Sequence, residues 1–98
     1  MKIKMFPEVP KTKQEAFEEI DDLLNDDERK ELLLHDAYAY HFSLGLWIRN
    51  NWIHKQKEKD VLELAKLFRV DPILFDPDDL SGKIIIAYQR YLKNKKYT

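Results

Sequence analysis

Two glycines in 98 residues leave this chain few places to make the tight turns on which a β-sheet depends. Leu, Lys, Glu and Ala are plentiful instead, and these side chains lose little on entering a helix. The apolar residues also recur at three- and four-residue spacing in one segment after another. An all-α fold follows: a single compact domain over residues 1–98, built from four or five helices.

Start and stop signals place the segments. Thr12 with Glu15 reads as a capping box. The helix it opens turns Ala16, Phe17, Ile20, Leu23 and Leu24 inward, with Glu18, Glu19, Asp21 and Asp22 outward. Asn25 with Glu28 repeats the device, and Leu32, Leu33 and Leu34 are the expected buried end of that second helix. A third helix is expected from about Asp36 to Arg49 and a fourth from about Lys57 to Phe68. The connector "VDPILFDPDDLSG" has two Asp-Pro steps, which bias Asp71 and Asp76 away from helical backbone. Its Ile73, Leu74 and Phe75 are expected to pin it to the core. The last helix starts at Pro77 or Asp78, with Asp76 as cap, and ends near Asn94. Residues 1–10 suit an extended arm or an edge strand, and residues 93–98 a frayed basic tail.

The stretch "HFSLGLWIRNNW", His41 to Trp52, is apolar nearly all round when drawn as a helix. A helix of that kind must be buried nearly all round, so the segment of about 36–50 is the expected central rod. Gly45 costs about 1 kcal/mol in helix propensity relative to Ala, which implies close approach of another helix or side chain at that position. Arg49 begins on the buried rod and needs partners if its guanidinium is buried. Asp76, Asp78 and Asp79 are the nearest group of acids to consider, and an Arg fork could fasten them to the rod. Asn50 or Asn51 is the expected left-handed stop of the helix, with Trp52 and Ile53 folding back beyond it.

These residues resemble a family of small bacterial domains of unknown function. Its hallmark is an H-x-x-L-G-x-W-I-R-N-x-W core followed by a P-D-D-x-S segment. The matching positions are His41, Leu44, Gly45, Trp47, Ile48, Arg49, Asn50 and Trp52, then Pro77, Asp78, Asp79 and Ser81. The likeness runs from about Pro10 to Leu92, and it departs at Ile53-His54, where a Gly-Leu-like pair is expected. It implies no established activity.

Several function classes are disfavoured by composition. With no cysteine there is no disulfide, no thiolate zinc site and no thiol nucleophile, and a reducing cytoplasm is the default compartment. Seventeen basic against eighteen acidic side chains give no overall field for nucleic acid or anionic lipid, although residues 1–50 hold seven basic and eleven acidic and residues 51–98 hold ten and seven. No apolar run is long enough to span a bilayer. His35, His41 and His54 lack the spacing of helical zinc ligands, and "DPDDLSGK" lacks the acids of a calcium loop, so neither a metal nor a cofactor is expected.

Two readings remain. The first is a small non-enzymatic protein-interaction module that binds another protein or its own copy, through aromatic surface at Tyr38, Tyr40, Trp47 and Trp52. The second is an enzyme or a binder of small anionic ligands, with a pocket of His41, Arg49, Asn50, Asp78, Asp79 and Ser81. There His41 would move protons and Arg49 would hold a negative charge. Eight residues of helix would separate those two by about 12 Å, so they could flank a ligand without sharing an atom. The first reading explains more residues, since a clasp, an Asn stop and an Asp-Pro helix start need no chemistry.

Overall fold

The computed structural model describes Met1 and residues 7–95. Helix α1 spans Lys13–Leu23, α2 Asp26–Leu34, α3 Leu44–Ile48, α4 Glu58–Leu67 and α5 Pro77–Asn94. A 3₁₀ segment over Ala37–Tyr40 precedes α3, and a π turn over Arg49–Ile53 follows it. No strand occurs among the described residues. Residues 7–10 have no regular structure, so the arm or edge strand expected for residues 1–10 lies largely outside the described residues, at 2–6. Lys93 and Asn94 still belong to α5, and the rest of the expected tail, beyond Lys95, is also outside them.

The caps read from the sequence close most of the helices. The Thr12 side chain accepts from the Glu15 N–H, but the returning Glu15 carboxylate takes the Lys11 N–H rather than that of Thr12. Asn25 and Glu28 form the complete reciprocal box. Asp76 accepts from the Asp79 N–H, with Pro77 at the first helical position, where its missing N–H costs nothing.

The expected central rod is broken. The 3₁₀ bonds from His41 N–H to the Tyr38 carbonyl and from Ser43 N–H to the Tyr40 carbonyl tighten the chain, and Ser43 (φ −112°, ψ −92°) lies outside the helical region. Only five residues of α-helix follow. Apolar periodicity cannot distinguish a continuous helix from two short pieces that keep the same side inward. The central place is taken by α5, which packs against α2, the 3₁₀ segment, α3 and the π turn, and buries Leu80, Ser81, Ile84, Ile85, Tyr88 and Leu92.

Four further expectations are corrected. Neither Asn50 nor Asn51 adopts left-handed backbone. The chain passes through both in a π turn, closed by the His54 N–H on the Arg49 carbonyl, while the Asn51 side chain donates to the Trp47 carbonyl. Among the described residues the left-handed non-glycine residue is Arg69 (φ 58°), which ends α4. There Val70 N–H reaches the Ala65 carbonyl and Arg69 N–H that of Lys66, the Schellman pattern, with Val70 and Ala65 both buried. Leu34 is exposed, because α2 ends there and the chain turns away at His35. Ile73 and Leu74 are also exposed. Asp71 closes their turn by accepting from both N–H groups, and of the three expected anchors Phe75, half-buried, is the one that packs on the core.

Asp21, expected to face solvent, instead ties α1 to α5. It accepts from the Tyr88 hydroxyl at 2.6 Å and the Tyr91 hydroxyl at 3.1 Å. Tyr88 is fully buried, so its hydroxyl needs such an acceptor.

Candidate functional site

A helical side chain leans toward the N-terminus of its own helix. Arg49 follows that rule. Its guanidinium lies back over Gly45, where a Cβ would sit 3.0 Å from Nη1, 3.2 Å from the Tyr40 carbonyl oxygen and 3.6 Å from Ile85 Cδ1. The close approach expected at Gly45 is therefore made by Arg49 itself, together with the end of the 3₁₀ segment. With its long side chain folded back, the guanidinium reaches His41, and the separation of about 12 Å expected along a straight helix does not apply.

Arg49 is only 5 % exposed, and each of its three nitrogens has a partner. Nη1 donates to Ser81 Oγ at 2.9 Å and faces His41 Nδ1 at 3.4 Å. Nη2 donates to the His41 carbonyl at 2.9 Å, and Nε pairs with Asp78 Oδ1 at 3.3 Å. Ser81 Oγ in turn donates to the Asp78 carbonyl. The other ring nitrogen of His41, Nε2, lies 4.0 Å from Asp78 Oδ1. The cluster joins three parts of the chain: the turn at His41, the end of α3 and the first turns of α5. It is a clasp in which one cation serves a hydroxyl, a carbonyl and a carboxylate.

Not every predicted residue joins it. Asp79 is exposed and contributes nothing to the clasp, and Asp76 is occupied as the α5 cap. Asn50 is exposed and adds no hydrogen bond to the cluster. The fork expected to meet the acids of "DPDD" is instead shared among Ser81, the His41 carbonyl and one carboxylate, that of Asp78.

Above the clasp a groove of about 430 Å³ opens to solvent. Its floor is apolar, made by Ala37, Gly82, Ile85 and Ile86. Asp36, Asp76, Asp78 and Asp79 stand around it, and Tyr38 and His41 form one wall. Asp36 caps the 3₁₀ segment by accepting from the Tyr38 N–H. Among the described residues no three His, Cys, Asp or Glu side chains converge closely enough to hold a metal ion.

Beside the groove runs an aromatic strip. Tyr38 stacks on His41 with centroids 5.5 Å apart and planes at 12°, and Phe42 meets His41 edge to face at 4.7 Å. Tyr38 is 74 % exposed and Phe42 78 %. Of the other aromatics expected at the surface, Tyr40 is half-buried and donates its hydroxyl to the Glu31 carbonyl; burial, and secondarily the Glu31 charge, push that phenol's pKa up. Trp47 is half-buried and packs edge to face on Trp52. Trp52 is fully buried, because the π turn carries it into the core, so it is no part of the surface.

The family model described as a domain of unknown function (DUF6794) matches residues 9–92. The chain belongs to this family. The match covers the whole frame just described, from the approach to α1 through nearly all of α5, so the clasp and the groove lie within the family's domain. No curated protein matches the chain, and no solved structure does.

Asp36, Gly82 and Ile86 were missed as site residues. The Asp before "AYAY" carries a capping signal that could have placed a helical start beside Tyr38. Nothing in the sequence marks Gly82 or Ile86 as groove floor, since that follows only from where α5 lies against the 3₁₀ segment.

Proposed function

We propose that this domain is a non-enzymatic protein-interaction module whose binding face is the Tyr38–His41–Phe42 strip with the adjoining groove. The observation that carries the reading is the exposure of Tyr38 and Phe42 in a chain that fully buries Trp52 and Tyr88. An aromatic ring left in water forgoes about 1.5–3 kcal/mol of burial. Rings of this kind contribute strongly when a partner covers them. His41, on which both rings pack, is tied through its carbonyl to Arg49, which limits the order lost on docking.

The partner is another protein or a second copy of this chain, in a bacterial cytoplasm. Nucleic acid is disfavoured by the net charge of −1 and the four carboxylates around the groove. Among the described residues no helix is long and apolar enough to cross a bilayer. The competing reading uses His41, Arg49, Asp78 and Asp79 as an enzyme or anion pocket. It draws support from the groove reaching His41 and both aspartates, and it is weakened by Arg49, whose donors already serve Ser81, His41 and Asp78.

The test is photocrosslinking in the native host, with p-benzoylphenylalanine in place of Tyr38, Phe42 or, as a control on α4, Glu63. Discrete adducts from the first two positions and none from Glu63 are expected. The captured protein should then bind the purified domain at least about tenfold more weakly after Phe42→Ser, by the size of an aromatic hot spot. Equal adducts from all three positions, or none, would refute the proposal.

A further inference from the structure

The groove beside the strip combines an apolar floor, an exposed aromatic wall and a surplus of negative charge. Asp36 and Asp76 serve as caps and Asp78 pairs with Arg49 and lies near His41, while Asp79 is exposed and takes no part in the clasp. Four carboxylates line the groove, and Arg49 pairs with one of them, Asp78. The surface therefore complements a cation. It does not suit a bare metal ion, because the carboxylates do not converge on one point.

A guanidinium fits these constraints. It is planar, weakly hydrated and able to stack on an aromatic ring while donating to separate carboxylates. Tyr38, stacked on His41 and still largely exposed, offers the ring. Ala37, Ile85 and Ile86 offer contact to the aliphatic stem of an arginine or to an apolar neighbour. A volume of about 430 Å³ is ample for one such side chain.

We infer that the groove binds an arginine side chain of a partner protein, set between apolar residues, with Tyr38 against the guanidinium and Asp79 and Asp36 as the carboxylates that receive it. This rests on the reading of the strip as a docking face and names the chemistry of what docks there.

The experiment is a titration of the ¹⁵N-labelled domain, followed by amide shifts, with three capped peptides: Ala-Leu-Arg-Leu-Ala, its lysine counterpart and its citrulline counterpart. Saturable shifts at Tyr38, Gly82 and Ile86 are expected with the arginine peptide. Binding should be at least about fivefold weaker for citrulline, which keeps the shape and loses the charge, and intermediate for lysine. Asp79→Asn should weaken the arginine peptide about threefold, and added salt should weaken it further. Equal binding of the citrulline peptide would overturn the inference, as would shifts confined to another face, no shift with any peptide, or shifts at the same amides on adding inorganic phosphate. If crosslinking from Tyr38 and Phe42 succeeds while these titrations fail, the docking face stands and the arginine assignment falls.

Discussion

Replacing Gly45 by alanine places two known effects in opposition. Alanine is favoured over glycine in a helix by about 1 kcal/mol, which alone would stabilise the domain. The new Cβ would meet Arg49 Nη1 at 3.0 Å and the Tyr40 carbonyl at 3.2 Å, both tighter than ordinary packing. The carbonyl is backbone and accepts from the Ser43 N–H, so it yields little. The guanidinium must then move, and its bonds to Ser81 and the His41 carbonyl lengthen together. A hydrogen bond involving a charged group contributes about 1.5–3 kcal/mol, so weakening two by half costs about 1.5–3 kcal/mol. Gly45→Ala should therefore destabilise the domain by about 0.5–2 kcal/mol net. Urea unfolding, with an m value of about 1 kcal/mol/M, would show this as a midpoint lower by about 0.5–2 M. The same substitution in an Arg49→Leu background should be neutral or slightly stabilising, because the guanidinium contact is gone. That leaves a coupling of at least about 0.5 kcal/mol. A Gly45→Ala variant more stable than the parent in both backgrounds would refute the idea that Arg49 rests on the glycine.

Within the clasp, Ser81→Ala should cost about 1–2 kcal/mol, because it leaves a buried guanidinium N–H unpaired. Asp78→Asn should cost under about 1 kcal/mol, since Asp78 is 67 % exposed and its ion pair is screened; thermal unfolding of the two variants tests that order. Arg49→Lys should lose about 2–3 kcal/mol despite keeping its charge, because an ammonium cannot reach the same spread of partners, and an unchanged melting temperature would rule this out. Arg69→Gly should stabilise by about 0.5–1 kcal/mol, since glycine holds the left-handed position without a Cβ penalty, as urea midpoints would show. The Glu28 carboxyl is held below the ordinary glutamate range, first by the Asn25 N–H and then by the chain's amino terminus. Its contribution is thus present above the unfolded value of about 4.3 and is lost as pH falls through the lower folded value. The stability gap between the parent and Glu28→Gln should therefore be larger at pH 7 than in acid below the folded value, where both side chains are neutral.

What the sequence revealed and what it hid have physical causes. The boundary of α5 was legible because Asp76, Pro77 and Asp79 each satisfy a different need of a helix start. The close contact at Gly45 was legible because a helical glycine wants a reason, although the neighbour proved to be a residue one turn along the same chain. The break before α3 was hidden, because two short helical pieces bury the same positions as one long helix. Asn50 and Asn51 pointed to a left-handed stop that the chain makes at Arg69 instead, a residue with no intrinsic taste for it. Val70 and Ala65 hold that turn by burial, and such tertiary support leaves no local mark. At the site, Arg49 with Asp78 could be paired from chemistry. Ser81 as the partner of Nη1, and Asp36 across the groove, required the packing of α5.

The account turns on Arg49 being closed into the fold, which leaves recognition to the groove above it. Side-chain ¹⁵N spectra of arginine test this directly. Arg49 should show a slowly exchanging Nε–H and separate, slowly rotating Nη resonances at neutral pH, while exposed Arg69 and Arg90 show rapid exchange and averaged signals. Averaged, fast-exchanging Arg49 signals like those of Arg69 would contradict it.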